Sequence, residues 1–256
     1  MVRIGYLVIA ILSAATPVSA AVIPLSAQRT VRVAAETIDM TTNTRAQDGD
    51  EQSSMDRGAF DSTLSARVNG SGASASQSSS ITPQQVTAVG SSGAGAIAFP
   101  GDFSSGGHAS SRLHYEFSVE VDTPYTIEGA VKGKSGAQFV TSHDTRISLS
   151  SADAEEPIFF VTSLILTDAD VWEGNDTVNF SHMGMLSPGT YTLDAIADAD
   201  ADLLRFSSGE MQESGSYQFT VSFVPEPTAA VGLLAALPLV VAIYRRSARK
   251  PTNVII

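Results

Sequence analysis

The clearest pattern along the chain is an alternation of apolar and polar residues with a period of two. Between residues 112 and 122 the apolar positions are Leu113, Tyr115, Phe117, Val119 and Val121. The alternation returns near residue 220, where the apolar positions are Tyr217, Phe219, Val221 and Phe223. Because successive side chains of a strand point to opposite faces, each run predicts a β-strand with one buried and one solvent-facing side.

Several shorter stretches predict further strands. They lie at residues 60–68, 125–131, 147–149, 158–166, 178–180 and 191–197. The apolar run at 158–166 predicts a fully buried strand. Ser187-Pro188-Gly189 predicts a turn. Short strands at this spacing, without an amphipathic-helix pattern between residues 21 and 224, predict an all-β fold that is an antiparallel β-sandwich or a jelly roll.

The alternation is uneven, and this predicts two parts. Residues 112–224 hold the stronger pattern and are the predicted core of the sandwich. Residues 21–111 are polar and rich in Ser, Gly and Ala, which bury little apolar surface, so the sequence leaves two alternatives for them. They form the first strands, as the alternation of Ala73 and Ala75 with Ser74 and Ser76 would allow, or they are partly disordered.

The first twenty residues have the pattern of a secretory signal peptide. Arg3 supplies a positive charge, residues 4–12 are apolar, and Val18-Ser19-Ala20 is a small-residue cleavage site. We expect cleavage after Ala20, with Ala21 as a near alternative.

The C-terminal region, residues 225–250, combines a hinge, an apolar segment and a cationic cluster. Pro225, Glu226 and Pro227 precede an uncharged apolar stretch at 228–244, which as a helix would be about 25 Å long and predicts one transmembrane helix. The cations that follow would hold this end on the cytoplasmic side, and they are Arg245, Arg246, Arg249 and Lys250. Residues 251–256 form a short tail. With a signal peptide in front, residues 21–227 are expected outside the membrane.

The order of these C-terminal elements resembles the PEP-CTERM sorting signal of Gram-negative bacteria. The resemblance implies recognition by an exosortase, which is a membrane enzyme with a catalytic cysteine, and export to the cell surface or extracellular matrix. It also implies an association with extracellular polysaccharide and biofilm. The segment 186–193, Leu-Ser-Pro-Gly-Thr-Tyr-Thr-Leu, is similar to a stretch found in such exported proteins. The chain departs from the family by continuing past Lys250.

The charge of the chain bears on its partners. It has 27 Asp+Glu against 15 Lys+Arg, a formal net charge of −12, and five of the cations lie in the two terminal segments. The exported part is therefore more acidic than the whole, which argues against binding to nucleic acid and favours the capture of divalent cations. Cysteine is absent, so stability has to come from burial of the core, to which a bound metal would add.

The sequence carries no motif for a catalytic site. It has no thiol nucleophile, no Gly-x-Ser-x-Gly elbow and no His-Glu-x-x-His zinc helix, and its four histidines lack ligand-like spacing. We therefore expect a non-enzymatic structural or interaction protein. Two alternatives stay open: a glycan-binding module, which needs exposed aromatic residues, and a surface hydrolase, which needs a Ser, His and Asp that converge in the fold.

Acidic residues give the one candidate for a metal site. Asp194, Asp198, Asp200 and Asp202 share one parity of a predicted strand, with alanines at the intervening positions 195, 197, 199 and 201. The sequence predicts either a solvated acidic face or a calcium site at Asp198, Asp200 and Asp202, although the spacing is not that of an EF-hand. A second acidic stretch at 168–176 surrounds Trp172, which either stacks on a sugar or fills the end of the core.

Overall fold

The protein is an antiparallel β-sandwich of two sheets. The computed structural model describes residues 22–98, 103–135, 142–163, 174–203 and 209–224. These residues form twelve strands and no helix. The all-β prediction is therefore confirmed, and of its two forms the sandwich is the one that the structure has.

Each sheet contains six strands. The first sheet has the order β2-β1-β6-β11-β8-β9 and the second has the order β10-β7-β12-β5-β4-β3. The strands are β1 Val22–Asp39, β2 Thr44–Ser54, β3 Phe60–Val68, β4 Ser71–Ile81, β5 Gln85–Ala98, β6 Phe103–Val119, β7 Thr123–Ser135, β8 Ser142–Ser151, β9 Phe159–Thr162, β10 Gly174–Leu186, β11 Gly189–Leu203 and β12 Gly209–Phe223. From β5 onward almost every connection crosses from one sheet to the other.

Most predicted strands are observed, and several are longer than their pattern indicated. β6 starts at Phe103, nine residues before the predicted strand, because Gly, Ser and Ala give little hydrophobic contrast there. The predicted boundary at residues 111 and 112 thus falls inside β6, and β1 to β5 belong to the same two sheets as the later strands. The turn after Leu186 is confirmed, and the Tyr191 hydroxyl donates to the carbonyl of Ser187 at 2.6 Å.

The prediction of a fully buried strand at residues 158–166 is wrong in its described part. β9 is a four-residue strand at the edge of the first sheet, and Phe160 is 53% exposed. An edge strand has one face turned to solvent, so a short apolar run does not require burial on both faces. Phe159 and Val161 are the residues of β9 that pack against the core, and the Phe159 ring lies 5.3 Å from the Phe180 ring.

One end of the sandwich has a wide, aromatic core. Phe117 of β6 lies at its centre, with ring centroids 5.3 Å from Tyr115, 5.7 Å from Tyr191 and 5.2 Å from Phe223. Phe223 comes from β12 in the second sheet, so these rings fill the space between the two sheets. All four side chains are buried.

At the opposite end the buried side chains are mostly small, with Leu203 and Met211 as the larger ones. Buried alanines of β5 and β11 face each other there, and Gly107 of β6 brings the two backbones together. A Cβ atom on Gly107 would lie 2.5 Å from the carbonyl oxygen of Gly72 and 3.0 Å from that of Gly95, both in the second sheet. Glycine is therefore required at this position by the close approach of the sheets.

The β2 and β3 edges are tied to each other across the sandwich. Arg29 of β1 is fully buried and donates to the carbonyl of Gly58, between the two strands, at 2.6 Å. Its guanidinium carbon also lies 5.2 Å from the Phe60 ring centroid. Desolvation by burial lowers the pKa of Arg29, and Asp56 partly offsets this.

The predicted terminal segments fall outside the described residues. This applies to the signal peptide with Ala20 and Ala21, and to everything from Pro225 onward, including the transmembrane helix at 228–244 and the basic cluster. Within the described ranges, the structure has no helix of the length and apolarity needed to cross a membrane.

Replacement of Gly107 by alanine tests the close approach of the sheets. We expect Gly107→Ala to lower the free energy of unfolding by about 1–3 kcal/mol, because the added methyl group can be accommodated only if the sheets move apart. Urea denaturation measures the difference. Gly93→Ala is the matched control, since its Cβ would meet the Ser74 hydroxyl at an ordinary 3.4 Å. Equal stability of the two variants would contradict this account.

Candidate functional site

The outer face of the first sheet carries the candidate site, and β11 explains its composition. Along this strand the alanines at 195, 197, 199 and 201 are fully buried, while the aspartates between them turn outward. The prediction that these aspartates share one face is confirmed. We call the outward-facing residues of β6, β8 and β11, with the neighbouring end of β1, the charged face.

In the middle of the charged face, the carboxylate of Asp198 is neutralised. The Arg112 guanidinium of β6 donates to it from Nη2 to Oδ2 at 2.5 Å, and the Ser110 hydroxyl donates to Oδ1 at 2.6 Å. The hydrogen bond to Asp198 raises the pKa of Arg112. On the other side of β11, Arg146 lies 2.7 Å from Asp144 within β8. The contacts of Asp198 with Arg112 and Ser110 join β11 to β6.

A histidine and two carboxylates lie toward the aromatic end of the same face. The Nδ1 atom of His114 is 2.7 Å from Oδ1 of Asp194, its partner across β6 and β11. The other ring nitrogen, Nε2, is 3.5 Å from Glu116, and the Ser26 hydroxyl of β1 donates to Glu116 at 2.8 Å. His114 thus lies on the outward side of β6, between the buried Leu113 and Tyr115.

The other end of the charged face is acidic. Glu36, His108, Asp200 and Asp202 line a shallow groove of about 350 Å³, whose floor includes Gly106 and Gly107. No salt bridge reaches Asp200 or Asp202 among the described residues. Asp202 is exposed as a residue, but its carboxylate lies over Gly106. Desolvation there raises the pKa of Asp202, and the charges of Asp200 and Glu36 raise it further.

The predicted calcium ligands are thus split between two environments. Asp198 is engaged by Arg112 and Ser110, whereas Asp200 and Asp202 lie in the acidic groove. Within the described ranges, no three His, Asp or Glu side chains are grouped so that they could hold a metal ion. Calcium binding at Asp198, Asp200 and Asp202 stays a prediction.

The hydrolase alternative requires a serine next to the histidine. His114 and Asp194 form the pairing that such a site uses, but Nε2 of the histidine faces the carboxylate of Glu116. In the part of the chain that the structure describes, no serine hydroxyl bonds to His114. His182 lies elsewhere, between the rings of Tyr125 and Phe159 at the edge of the core.

The glycan-binding alternative requires exposed aromatic rings. All four tyrosines in the described ranges, at positions 115, 125, 191 and 217, are 5% exposed or less. Phe160, at the edge of the first sheet, is the one clearly exposed aromatic residue among those described. Trp172 and most of the acidic stretch at 168–176 lie outside the described residues. A stacking platform for sugars is therefore not seen on either described sheet face.

Two features were missed by sequence reasoning. Arg29 has the same parity as the apolar Val31 and Val33, a signal that could have placed it inside the sandwich. The pairing of Arg112 with Asp198 depends on the register of β6 and β11, in which Ser110 lies opposite Asp198. No local pattern carries that information.

Comparisons with known proteins place the chain in no family. No protein-family model matches it, and no curated protein matches it. Among solved structures it is similar to a chain of infectious bursal disease virus Gt strain, at 10% identity and a TM-score of 0.25 over 79% of this chain and 57% of the other. For the Gx strain the identity is 12% and the TM-score 0.26, over 82% and 58%. The chain thus spans less than two thirds of these neighbours, and TM-scores this low carry no argument about function.

Removal of charge from Asp202 tests the acidic groove. Because the pKa of Asp202 is raised, its ionised form costs stability above that pKa, and the cost disappears as the pH falls below it. We expect Asp202→Asn to raise the free energy of unfolding at pH 7 by up to about 0.5 kcal/mol, with no gain in acid.

Asp198→Asn is the matched control on the same strand. It removes the partner of Arg112 and should lower the free energy of unfolding at pH 7 by up to about 1 kcal/mol. Thermal denaturation over a pH series measures both variants. A loss of stability in Asp202→Asn at neutral pH would contradict the assigned repulsion.

The calcium prediction is tested by the melting temperature in different salts. We expect calcium to raise it more than magnesium or sodium at equal ionic strength, by mass action on the folded state. The Asp198/Asp200/Asp202→Asn variant should lose this response. Equal shifts in all three salts, or an unchanged calcium response in the variant, would exclude a site at these residues.

Proposed function

We propose that this chain is an exported structural or interaction protein, sorted by a PEP-CTERM-like tail to the cell surface or extracellular matrix, where it is associated with polysaccharide. The observation that carries the proposal is the order of the C-terminal elements: the Pro-Glu-Pro hinge, the apolar segment 228–244 and the basic cluster. An exosortase is the implied partner. No catalytic step is part of the proposed function.

The position of the hinge supports this proposal. β12 ends at Phe223, and the backbone N–H of Val224 still donates to the carbonyl of Pro124 at 2.9 Å. Pro225 follows immediately, so the sorting segment would begin where the last strand ends. Two prolines within three residues disfavour a helix and leave few backbone donors, which suits an extended segment entering an enzyme cleft.

The chemistry of the charged face also suits an extracellular role. The carboxylates of Asp194 and Asp198 are held by cross-strand partners, while no salt bridge among the described residues reaches Asp200 or Asp202. An acidic surface approaches an acidic polysaccharide only with bridging cations. We therefore propose that any contact with such a polysaccharide uses divalent ions.

Intact-mass measurement of the surface protein tests the sorting. We expect the mature protein to lack residues 1–20 and the segment after the hinge. The unprocessed precursor should retain both. In cells without exosortase, or in a Glu226→Ala, Pro227→Ala variant, the basic cluster should stay attached. Surface protein that keeps residues 245–250 in exosortase-positive cells would instead indicate a single-span membrane protein.

A further inference from the structure

The edges of the two sheets differ in how they are protected. An edge strand exposes a row of unpaired backbone N–H and C=O groups, which form a template for another strand. Among the described residues the sandwich has four edges: β2 and β9 in the first sheet, and β3 and β10 in the second.

The β2 and β3 edges protect each other. β2 carries Arg45, Asp48, Asp50 and Glu51 within eleven residues, which opposes pairing with another copy. The Asp48 carboxylate accepts the backbone N–H of Arg67 in β3 at 3.0 Å. A side-chain bond from Ser62 to Gln52 at 2.6 Å joins the same two strands. The donors of β3 are thus partly satisfied within the molecule.

The β9 edge is short. It consists of four residues, and the ring of Phe159 is engaged with Phe180 and His182 in the core. Four residues offer too few backbone hydrogen bonds for stable pairing with another chain.

The β10 edge is longer than β9, and apart from the ring contacts of Phe180 and His182 with Phe159 its described residues show none of these protections. Its thirteen residues pair with β7 without a register shift, so no bulge bends the edge away. Residues 177–186 contain no Asp, Glu, Lys, Arg or Pro. Met183 and Met185 are 76% and 58% exposed. No described strand pairs with the outer side of β10.

We infer that β10 is an association surface through which two copies of this chain pair in antiparallel fashion, joining their second sheets into one. A second copy fits because any antiparallel register within residues 177–186 places no two charged side chains opposite each other. The same patch serves both copies, as in a two-fold dimer. Because the other edges are protected, association stops at two molecules.

The size of the contact sets its strength. One strand from each copy, with the flexible side chains of Met183 and Met185 packing across the junction, buries less surface than permanent dimers do. The fraction of dimer should therefore depend on protein concentration, and its dissociation constant should be measurable in solution.

Sedimentation velocity of the full-length chain in detergent, over a concentration series, tests the dimer. We expect Met183→Lys to raise the dissociation constant about tenfold or more, because a charged side chain on an edge strand opposes pairing and both copies would carry it. Val89→Lys is the matched control: Val89 is 49% exposed on β5, inside the same sheet, and its replacement should leave the constant unchanged. A chain that stays monomeric through the millimolar range, or an equal dimer in Met183→Lys, overturns the inference.

A cross-link locates the contact independently. The chain has no cysteine, so Ser181→Cys in β10 and Ser53→Cys in β2 each introduce one thiol at an exposed edge position. We expect Ser181→Cys to form a reducible dimer much faster than Ser53→Cys. Equal rates for the two variants would mean random collision, or association through another segment such as the tail, and would overturn the assignment to β10.

Discussion

The rest of the structure depends on the contact between the two backbones at Gly107. Packed sheets normally lie about 10 Å apart, a gap that side chains fill. β4 and β5 supply mainly Ser, Ala and Gly to that gap, so the sheets close until Gly107 meets the carbonyls of Gly72 and Gly95. The rings around Phe117 hold the opposite end apart. The sandwich is therefore wedge-shaped. At its narrow end, strands that are rich in Ser and Ala bury their inner side chains between the sheets.

The narrow end also accounts for the charged face. Over residues 195–201, β11 buries only alanine on its inner side and gains little from that burial, so its stability there depends more on its neighbours. In β11 those neighbours are joined by charged groups, through Arg112 to Asp198 and through His114 to Asp194. Asp200 and Asp202 lie beyond the last of these pairs, in the groove over the glycines of β6, where no described salt bridge reaches them. This is where the repulsion is concentrated.

The sequence predicted the wide end well and the narrow end poorly. Strands such as β12 alternate strongly between apolar and polar residues, and their buried faces were predicted correctly at Tyr217 and Phe219. In β4, Ser71 and Ser79 are as buried as Ala73, because the small gap accepts either residue. Hydropathy cannot distinguish such a strand from a disordered segment. The pairing of Arg112 with Asp198 joins residues 86 positions apart and follows from register alone. The length of β9 was overestimated because its apolar run, residues 158–166, continues past the end of the strand at Thr162.

The geometry of β10 relates the association surface to the point where the proposed sorting segment begins. Leu186, at the end of β10, pairs with Thr123, and the chain leaves the sandwich beside Pro124 at Val224. In an antiparallel pair, this end of one copy lies next to the beginning of β10 in the other. Thirteen residues of strand span about 40 Å, so the segments that follow Val224 start that far apart, at opposite ends of the dimer. A flat membrane holds both tails only if one hinge reaches along the whole sandwich. If the tail is removed as the proposed function requires, this restraint is lost, and pairing through β10 would then be favoured in the released protein over the precursor.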